Sequence, residues 1–400
     1  MTTNSPEPTE YDAVLGGQLS IPTNAAVLGG IEGVKKSLAS KIVEQKIVAI
    51  SQALNYGEAG LDLIIRTLED ESYQVQKFAY LLLRERNEPT VKNFLREYNP
   101  WKVGGKTYTF GRYYIKFDSI HAIVIHPHRR IIVGGDGGGE TKISVWDMDT
   151  KRLMWTTLGC LKAVKSFAIS PDGLTLINTN NSNSIPAWNL YTCKLIRTFE
   201  GHSDWVNSVA ITQDGKNMVS GSRDKSIKIW NLYTAELNAT LVGHSASINS
   251  IGISHDGQTI VSGSADKTIK IWNLHSGELK ATLAGHSDWV NSVAISHDGQ
   301  IIVSGSFDKT IKIWSLDSGE LNTTFKGHSC SVNCIAISPD GLTIVSGSDD
   351  KTIKIWNLKT QQLIKSFLSN SKVKCLAISA DGKTIVSGGN EKTIQVWEVP

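Results

Sequence analysis

The stretch Ser220-Gly-Ser-Arg-Asp-Lys-Ser-Ile-Lys-Ile-Trp230 decides the fold of this chain because it recurs at a fixed spacing. Near-identical copies occupy residues 262–272, 304–314 and 346–356. The closing tryptophan extends the series in both directions, in five steps of 42 residues and one of 41: Trp146, Trp188, Trp230, Trp272, Trp314, Trp356 and Trp397. A period of this length is the signature of a repeat architecture. The sequence therefore predicts seven copies of one structural unit.

Each period contains four short apolar runs, which in the third period are 206–211, 218–220, 227–230 and 237–241. The pair Asp214-Gly215 separates the first two runs and supplies the positive φ of a tight hairpin. Four such strands form a small twisted sheet that is apolar on both faces and cannot bury itself, whereas seven sheets packed around an axis can. We predict a mainly β protein with a seven-bladed β-propeller of four-stranded antiparallel blades.

The two ends of the repeat array indicate how the ring closes. The last period stops at Pro400, just after the strand of Trp397, and so lacks its outermost strand. The segment 106–114 precedes the first complete period and is the one spare strand. We expect it to pair with the last blade, which removes an exposed sheet edge. The predicted propeller spans 106–400, with 106–114 as the closing strand.

The first hundred residues have a different pattern. Residues 1–22 are predicted to be a flexible leader, 23–99 an α-helical domain and 100–105 a linker. One helical face carries Val43, Ile47, Ile50 and Leu54, with Gly57 and Gly60 expected at the end of that helix. Further helices are expected over 61–68, over 73–84 and from Pro89. The pair 61–70 and 71–80, with Val75 and Ala79, resembles one HEAT-type repeat; a small helical cap or bundle explains the same pattern.

Composition restricts the class of protein. The net charge is only +3, which disfavours a general nucleic-acid binder. The N-terminus is polar and acidic, unlike a signal peptide, and no apolar run approaches the roughly 18 residues of a membrane span. Five cysteines, an odd number without a CxxC pair, indicate reduced thiols: Cys160, Cys193, Cys330, Cys334 and Cys375. We expect a cytoplasmic, monomeric protein that does not bind membranes.

Two further motifs accompany the tryptophan, and together they resemble the WD-repeat β-propeller family over residues 106–400. Gly-His pairs stand at 201–202, 243–244, 285–286 and 327–328, and an Asp lies six residues before each Trp. The resemblance implies a buried structural network in four blades: His202, Asp224 and Trp230; His244, Asp266 and Trp272; His286, Asp308 and Trp314; His328, Asp350 and Trp356. A strand serine completes it, either Ser220 or Ser222 in blade 3.

Departures from this pattern fall on one side of the ring. Blade 2 has Cys160 in place of His, Ser182 in place of Asp, and Pro186 within its tryptophan strand, where a ladder donor is lost. Blade 1 lacks Gly-His and has a glycine-rich insertion over 134–140, and blade 7 has Glu391 in place of Asp. We expect blades 3–6 to be better ordered than blades 1, 2 and 7.

No residue pattern indicates an enzyme, a cofactor or a metal site. The His-Asp-Ser set invites comparison with a hydrolase triad, but an active site is needed once and this set occurs four times. A hydrolase that used the central channel would need a polar cluster in one blade that the others lack, and the sequence shows none. Cys330 and Cys334 have no second pair of ligands at zinc-site spacing.

Binding is the expected activity. In the WD-repeat family the Gly-His and Asp loops share one face, where partners commonly dock. The candidate partner-binding residues are Asp204, Trp205 and Arg223 in blade 3, and Asp288, Trp289 and Phe307 in blade 5. The alternative is that the two tryptophans only cover neighbouring hairpins. A ring of lysines (Lys225, Lys267, Lys309, Lys351 and Lys392) supports a second hypothesis, a module that binds nucleic acid or another polyanion. We predict a non-enzymatic scaffold for one or more proteins.

Overall fold

The computed structural model describes residues 30–70, 109–114, 119–136, 141–149, 152–160, 163–390 and 393–398, together with 72, 75, 78–79, 82–83, 86, 88 and 90–91. The chain forms two compact units, Met1–Tyr98 and Asn99–Pro400. The predicted leader over 1–22 and the predicted linker over 100–105 lie outside the described residues.

The N-terminal unit contains three described α-helices: α1 (Gly30–Leu38), α2 (Val43–Ala53) and α3 (Gly57–Arg66). The 3-10 turns Leu54–Tyr56 and Thr67–Glu69 follow α2 and α3. The apolar faces of the helices and several residues further along the chain form one core. Its buried residues are Val34, Ala49, Ile50, Ala53, Leu61, Ile64, Leu68, Val75, Ala79, Leu83 and Val91. None of the described helices is long and apolar enough to cross a membrane.

Two helix boundaries differ from the sequence prediction. Gly57 and Gly60 do not end the first long helix: α2 ends at Ala53, and α3 begins at Gly57, four residues before the predicted start. Gly57 has φ +57°, so it turns the chain between the helices. At Gly60 a Cβ would lie only 1.8 Å from the carbonyl oxygen of Ala53. The glycines therefore serve a tight helix–helix approach. The HEAT-type repeat remains a prediction.

The second unit contains 28 described strands in seven four-stranded antiparallel sheets, which confirms the predicted mainly β, seven-bladed propeller. Strand β1 is Thr109–Tyr114. Blade 1 is β2–β5: Ile120–Ile125, Ile131–Asp136, Thr141–Asp147 and Leu153–Cys160. Blade 2 is β6–β9: Val164–Ile169, Thr175–Asn180, Ile185–Asn189 and Leu195–Phe199. Blade 3 is β10–β13: Val206–Ile211, Asn217–Ser222, Ser226–Asn231 and Leu237–Val242.

The remaining blades repeat the same order. Blade 4 is β14–β17: Ile248–Ile253, Thr259–Ser264, Thr268–Asn273 and Leu279–Ala284. Blade 5 is β18–β21: Val290–Ile295, Ile301–Ser306, Thr310–Ser315 and Leu321–Lys326. Blade 6 is β22–β25: Val332–Ile337, Thr343–Ser348, Thr352–Asn357 and Leu363–Leu368. Blade 7 is β26–β28 with β1: Val373–Ile378, Thr384–Gly389 and Thr393–Glu398.

The ring is closed at two levels. The first strand of each blade packs against the first strand of the next, and β26 of blade 7 packs against β2 of blade 1. At the outer edge of blade 7, β1 pairs antiparallel with β28, with Thr109 opposite Trp397 and Tyr114 opposite Thr393. The last blade thus obtains its fourth strand from the opposite end of the propeller sequence.

Close packing between blades depends on the middle residue of the Ser-Gly-Ser motif. A Cβ on Gly221 would lie 2.6 Å from Cγ2 of Ile248 in the next blade. Blade 2 has Thr179 at this position, and this residue is fully buried. Its proline strand is also shorter: β8 pairs with β7 at three positions, whereas β12 pairs with β11 at five. Blade 2 is therefore paired less completely than blade 3.

Candidate interaction face

The loops that precede each first strand and the turns between the second and third strands lie at the same end of the blades. We call this end the upper face. In blade 3 it is formed by residues 201–205 and by the turn 223–225. The Asp224 carboxylate in the turn bonds to His202 and to Ser203 N–H in the loop (2.7 and 3.0 Å). The turn and the loop are therefore held together.

Beneath the upper face of blades 3 to 6, one serine in each blade links the predicted network residues. The Trp230 indole N–H donates to Ser220 Oγ (2.8 Å), and Ser220 Oγ is 2.8 Å from His202 Nε2. His202 Nδ1 is 2.7 Å from Asp224 Oδ2. Ser222 has a different role, since its hydroxyl donates to the carbonyl of Trp205 (2.9 Å). The corresponding serines in blades 4, 5 and 6 are Ser262, Ser304 and Ser346.

The aspartate accepts four hydrogen bonds in blade 3. Asp224 Oδ2 accepts from His202 and Ser203 N, and Oδ1 accepts from Ser226 N (2.9 Å) and Ser226 Oγ (2.6 Å). Burial alone would raise the pKa of Asp224, but these bonds outweigh it and hold the pKa well below its ordinary value. Ser226 was not among the residues predicted for the network, although a Ser or Thr follows the Asp by two residues in each copy: Thr268, Thr310 and Thr352.

The histidines of blades 4 and 6 are neutral at pH 7. Burial lowers the pKa of His244 and His328, although their aspartates act in the opposite direction. Because the carboxylate only accepts, Nδ1–H donates to it and Nε2 accepts from the serine hydroxyl. In blade 4, Ser262 is fully buried and already accepts the Trp272 indole. Its hydroxyl cannot reach an external substrate, so the arrangement suits a structural bond network better than a nucleophile.

A repeated backbone bond brings the variable positions of the upper face together in pairs. The N–H of the first turn residue donates to the carbonyl of the last loop residue, as from Arg223 to Trp205 (2.8 Å) and from Phe307 to Trp289 (2.9 Å). Blade 4 places Ala265 beside Ser247 in the same way (2.9 Å). Blade 4 therefore presents small side chains between Trp205 of blade 3 and the Trp289–Phe307 pair of blade 5.

The blade 3 pair combines an aromatic ring with both charges. The Arg223 guanidinium lies 5.1 Å from the centroid of the Trp205 ring, a cation–π distance. Asp204 accepts from Trp205 N–H (2.7 Å) and has its other oxygen 4.0 Å from Arg223 Nε. Trp205 is nevertheless 39% exposed. Its indole therefore covers part of the turn and leaves part of its surface to solvent.

The blade 5 pair is apolar. Trp289 is 51% exposed and Phe307 is 47% exposed, and their ring centroids lie 5.9 Å apart. Asp288 accepts from Trp289 N–H (2.8 Å), which orders the loop. The six predicted partner-binding residues thus form two clusters, one on blade 3 and one on blade 5.

Sequence comparison places these blades in a known family. The model of the WD domain, G-beta repeat, matches residues 193–231, 235–273, 277–315, 319–357 and 361–398. The chain belongs to the WD40-repeat family. A comparison with individually curated proteins returned no match. The matched segments include the network residues of all four blades that carry the complete network. WD40 propellers are generally protein-interaction scaffolds without catalytic activity.

The WD40 network is incomplete in the other blades. In blade 2 the Trp188 indole donates to Asn178 Oδ1 (2.7 Å), and Asn178 Nδ2 is buried with no partner among the described residues. In blade 7 Trp397 donates to Ser387 over a longer distance, 3.3 Å. In blade 1 Gly134 stands at the serine position, where a Cβ would lie 2.9 Å from the Trp146 ring. The side chains of Cys160 and Glu391 lie outside the described residues.

Four of the five predicted ring lysines are described, and all four are exposed on the upper face: Lys225, Lys267, Lys309 and Lys351. Their φ values lie between +66° and +72°, a conformation that costs an ordinary residue about 1 kcal/mol or more relative to glycine. None of these ammonium groups is paired with a described residue. Lys392 lies outside the described residues.

No group of three or more metal-ligand side chains occurs within the described part of the chain. The described cysteines are free thiols. Burial raises the pKa of the Cys334 and Cys375 thiols, which makes both poor nucleophiles.

Proposed function

We propose that this WD40 propeller is a non-enzymatic scaffold that binds an extended peptide or protein loop on its upper face, between Trp205 and Trp289. The observation that carries the proposal is the exposure of Trp205, Trp289 and Phe307 beside the small residues of blade 4. Exposed aromatic side chains are favoured anchors of protein interfaces because they bury a large area at a small entropic cost. The Ser247 and Ala265 surface between them leaves room for a backbone.

Recognition on this face needs little ordering of the protein. In blades 3, 4 and 5 the loop and the turn are already fixed by the aspartate and by the backbone bond between the paired positions, and the tryptophan beneath them is buried. A preorganised surface loses less conformational entropy on binding than a mobile loop does. Asp204, Arg223 and Asp288 add charges around the aromatic groups and would orient the partner.

The test compares the proteins captured by the full-length chain and by its Trp205→Ala, Trp289→Ala double variant. We expect the variant to keep its melting temperature and to lose at least tenfold in affinity for captured partners, since truncated hot-spot residues typically cost 2 kcal/mol or more. Tyr233→Ala is the matched control, because Tyr233 is exposed in the turn at the opposite end of blade 3. Equal capture by the double variant and the wild type would contradict the proposed site.

The lysines support a second candidate function, the binding of a polyanion such as nucleic acid. The specific observation is that four unpaired ammonium groups are exposed on one face. A titration with single-stranded DNA between about 50 and 200 mM salt separates the two functions. A steep loss of affinity with salt would favour the polyanion; a shallow dependence on salt would favour the protein partner.

We also propose that the protein is cytoplasmic, because the described cysteines are free thiols, and that it is a monomer. Cell fractionation and light scattering on the purified chain test these two statements separately.

A further inference from the structure

The first strand of every blade has a one-residue register shift near the upper face. In blade 3 the shift lies between Val206 and Ser208, which leaves Asn207 at the shift. The same position exists in all seven blades, and we call these seven residues the inner ring. Because the first strands surround the propeller axis, the inner ring surrounds one end of the central channel.

Four consecutive blades carry asparagine in the inner ring. Each Nδ2 donates to a carbonyl of the next first strand: Asn207 to Ile248 (2.9 Å), Asn249 to Val290 (3.0 Å), Asn291 to Val332 (3.0 Å) and Asn333 to Val373 (2.8 Å). These amides connect blades 3 to 7 and carry no charge. Their Nδ2 donors therefore have hydrogen-bond partners within the fold.

The other three blades carry basic residues: Lys374 in blade 7, His121 in blade 1 and Lys165 in blade 2. These blades are consecutive around the ring, because β26 packs against β2 and β2 packs against β6. Three cationic or proton-binding groups therefore share one side of the channel end. This cluster is not visible in the sequence, because its members are more than 40 residues apart and belong to different blades.

The two lysines differ in their partners. Lys374 Nζ bonds to Asp349 Oδ1 (2.7 Å), which also accepts from Asn333 (2.7 Å). Lys165 is half-buried, and its ammonium makes no hydrogen bond or ion pair with the described residues. Burial, and then the charge of Lys374, lower the pKa of Lys165. A partly buried ammonium that has no counterion among the described residues is costly, and an anion placed between the lysines would remove that cost.

We propose that Lys165 and Lys374, with His121 between their blades, form an anion site at the end of the central channel that binds a phosphate group. A phosphate dianion matches two ammonium groups better than a single carboxylate does, because it carries more charge and more acceptor oxygens. Asn207 and Asn333 lie on either side of the basic part of the ring, with their amide groups bonded within the fold. The site is separate from the aromatic clusters on blades 3 and 5.

The experiment measures the binding of pyrophosphate to the full-length chain by calorimetry at low ionic strength, with acetate as the carboxylate probe. The test variant is Lys165→Asn, Lys374→Asn, which installs the residue that four other blades carry at this position. The matched control is Lys225→Ala, Lys267→Ala, which removes the same charge from the exposed turns of blades 3 and 4. We expect the test variant to bind pyrophosphate at least tenfold more weakly than the wild type, and the control to bind within about threefold of the wild type.

A second readout separates a binding role from a structural one. Pyrophosphate should raise the melting temperature of the wild type and of the control but not that of the test variant. Without pyrophosphate, the single variant Lys165→Asn should be at least as stable as the wild type. Equal pyrophosphate affinity in the test variant, equal losses in both double variants, or tighter binding of acetate than of pyrophosphate would each overturn the proposal. The Trp205→Ala, Trp289→Ala variant should still bind pyrophosphate, so this test is independent of the proposed protein-binding site.

Discussion

At the scale of single residues, the network depends on one hydroxyl group in each complete blade. Ser220 accepts the indole N–H of Trp230 and bonds to the His202 ring, so removal of its oxygen affects both. Sequence reasoning left Ser220 and Ser222 as equal candidates because both are strand serines two positions apart. Side chains two apart in a strand lie on the same face, so alternation cannot distinguish them. The position of each serine along the strand decides which one joins the network: Ser220 lies beside the Trp230 and His202 rings, whereas Ser222 lies beside the Trp205 carbonyl.

The Ser220→Ala variant should lower the free energy of unfolding by about 2–4 kcal/mol, because it leaves two buried polar groups without a partner. The Ser203→Ala variant is the control, since Ser203 is exposed and contributes its backbone N–H to Asp224. Its effect should stay within about 0.5 kcal/mol. Urea denaturation followed by tryptophan fluorescence measures both. Equal effects of the two substitutions would show that the hydroxyl is not the central acceptor.

Stability should fall as the pH falls, in two windows. Burial lowers the pKa of His244 and His328 below 6.5, so below that pH the unfolded chain binds protons that the folded chain does not. The stability from these neutral histidines is complete above pH 6.5 and decreases below it. Burial opposes the shift at Asp266, but its hydrogen bonds lower the pKa below 3.8, so its contribution is complete above pH 3.8 and is lost at lower pH.

Melting temperatures measured from pH 7.5 to 5 test the histidine window. We expect a decrease for the wild type and a smaller slope for His244→Gln, whereas His275→Gln, at an exposed position, should keep the wild-type slope. A melting temperature that rises or stays constant as the pH is lowered from 7.5 to 5 would contradict the predicted loss of stability.

At the scale of the blade, stability depends on the side chains through which each sheet contacts the neighbouring blades. The glycine of Ser-Gly-Ser lets the next blade approach closely, and the flanking serines complete hydrogen bonds. Blade 2 has Asn178, Thr179 and Asn180 at these three positions, each with a buried polar atom that has no partner in the described part of the chain. Orphaned polar groups of this kind cost stability, typically about 1–3 kcal/mol each. In blade 2, therefore, the side chains at the positions of the Ser-Gly-Ser motif do not match the hydrogen-bond partners available there.

Amide hydrogen exchange should therefore be faster in β7 and β8 than in β15 and β16 of blade 4. A difference of about tenfold corresponds to roughly 1.4 kcal/mol in the free energy of local opening. Exchange mass spectrometry resolves the two segments, and the full ladder between β15 and β16 serves as the internal reference. Slower exchange in blade 2 than in blade 4 would contradict the expected order of blade stability.

At the scale of the whole molecule, stability depends on closure. Each blade buries its faces against two neighbours, and the first strands form an uninterrupted ring. The outer edge of blade 7 is completed by β1, which is separated from β28 by nearly the whole propeller sequence. Pairing between such distant segments is slow to form and is needed to leave no unpaired edge on that blade.

Deletion of Thr109–Tyr114 from the full chain should lower the melting temperature of the propeller by about 10 °C or more and promote association through the exposed edge of β28. Deletion of residues 1–22 is the control and should change neither property. Differential scanning calorimetry and light scattering provide the two measurements. A monomeric deletion variant with the wild-type melting temperature would mean that β1 does not stabilise the ring.

The sequence by itself determined the period, the number of blades, the strands and their turns, because these features depend on residues that are close along the chain. The copies around Trp230 and the Asp214-Gly215 turn were sufficient for this part of the fold. The tertiary structure alone decided that Ser220 is the shared acceptor, that α3 begins at Gly57, and that Lys165 and Lys374 lie on the same side of the channel. These facts depend on contacts between residues distant along the chain, which local spacing does not encode and which exist only once helices pack and the ring has closed.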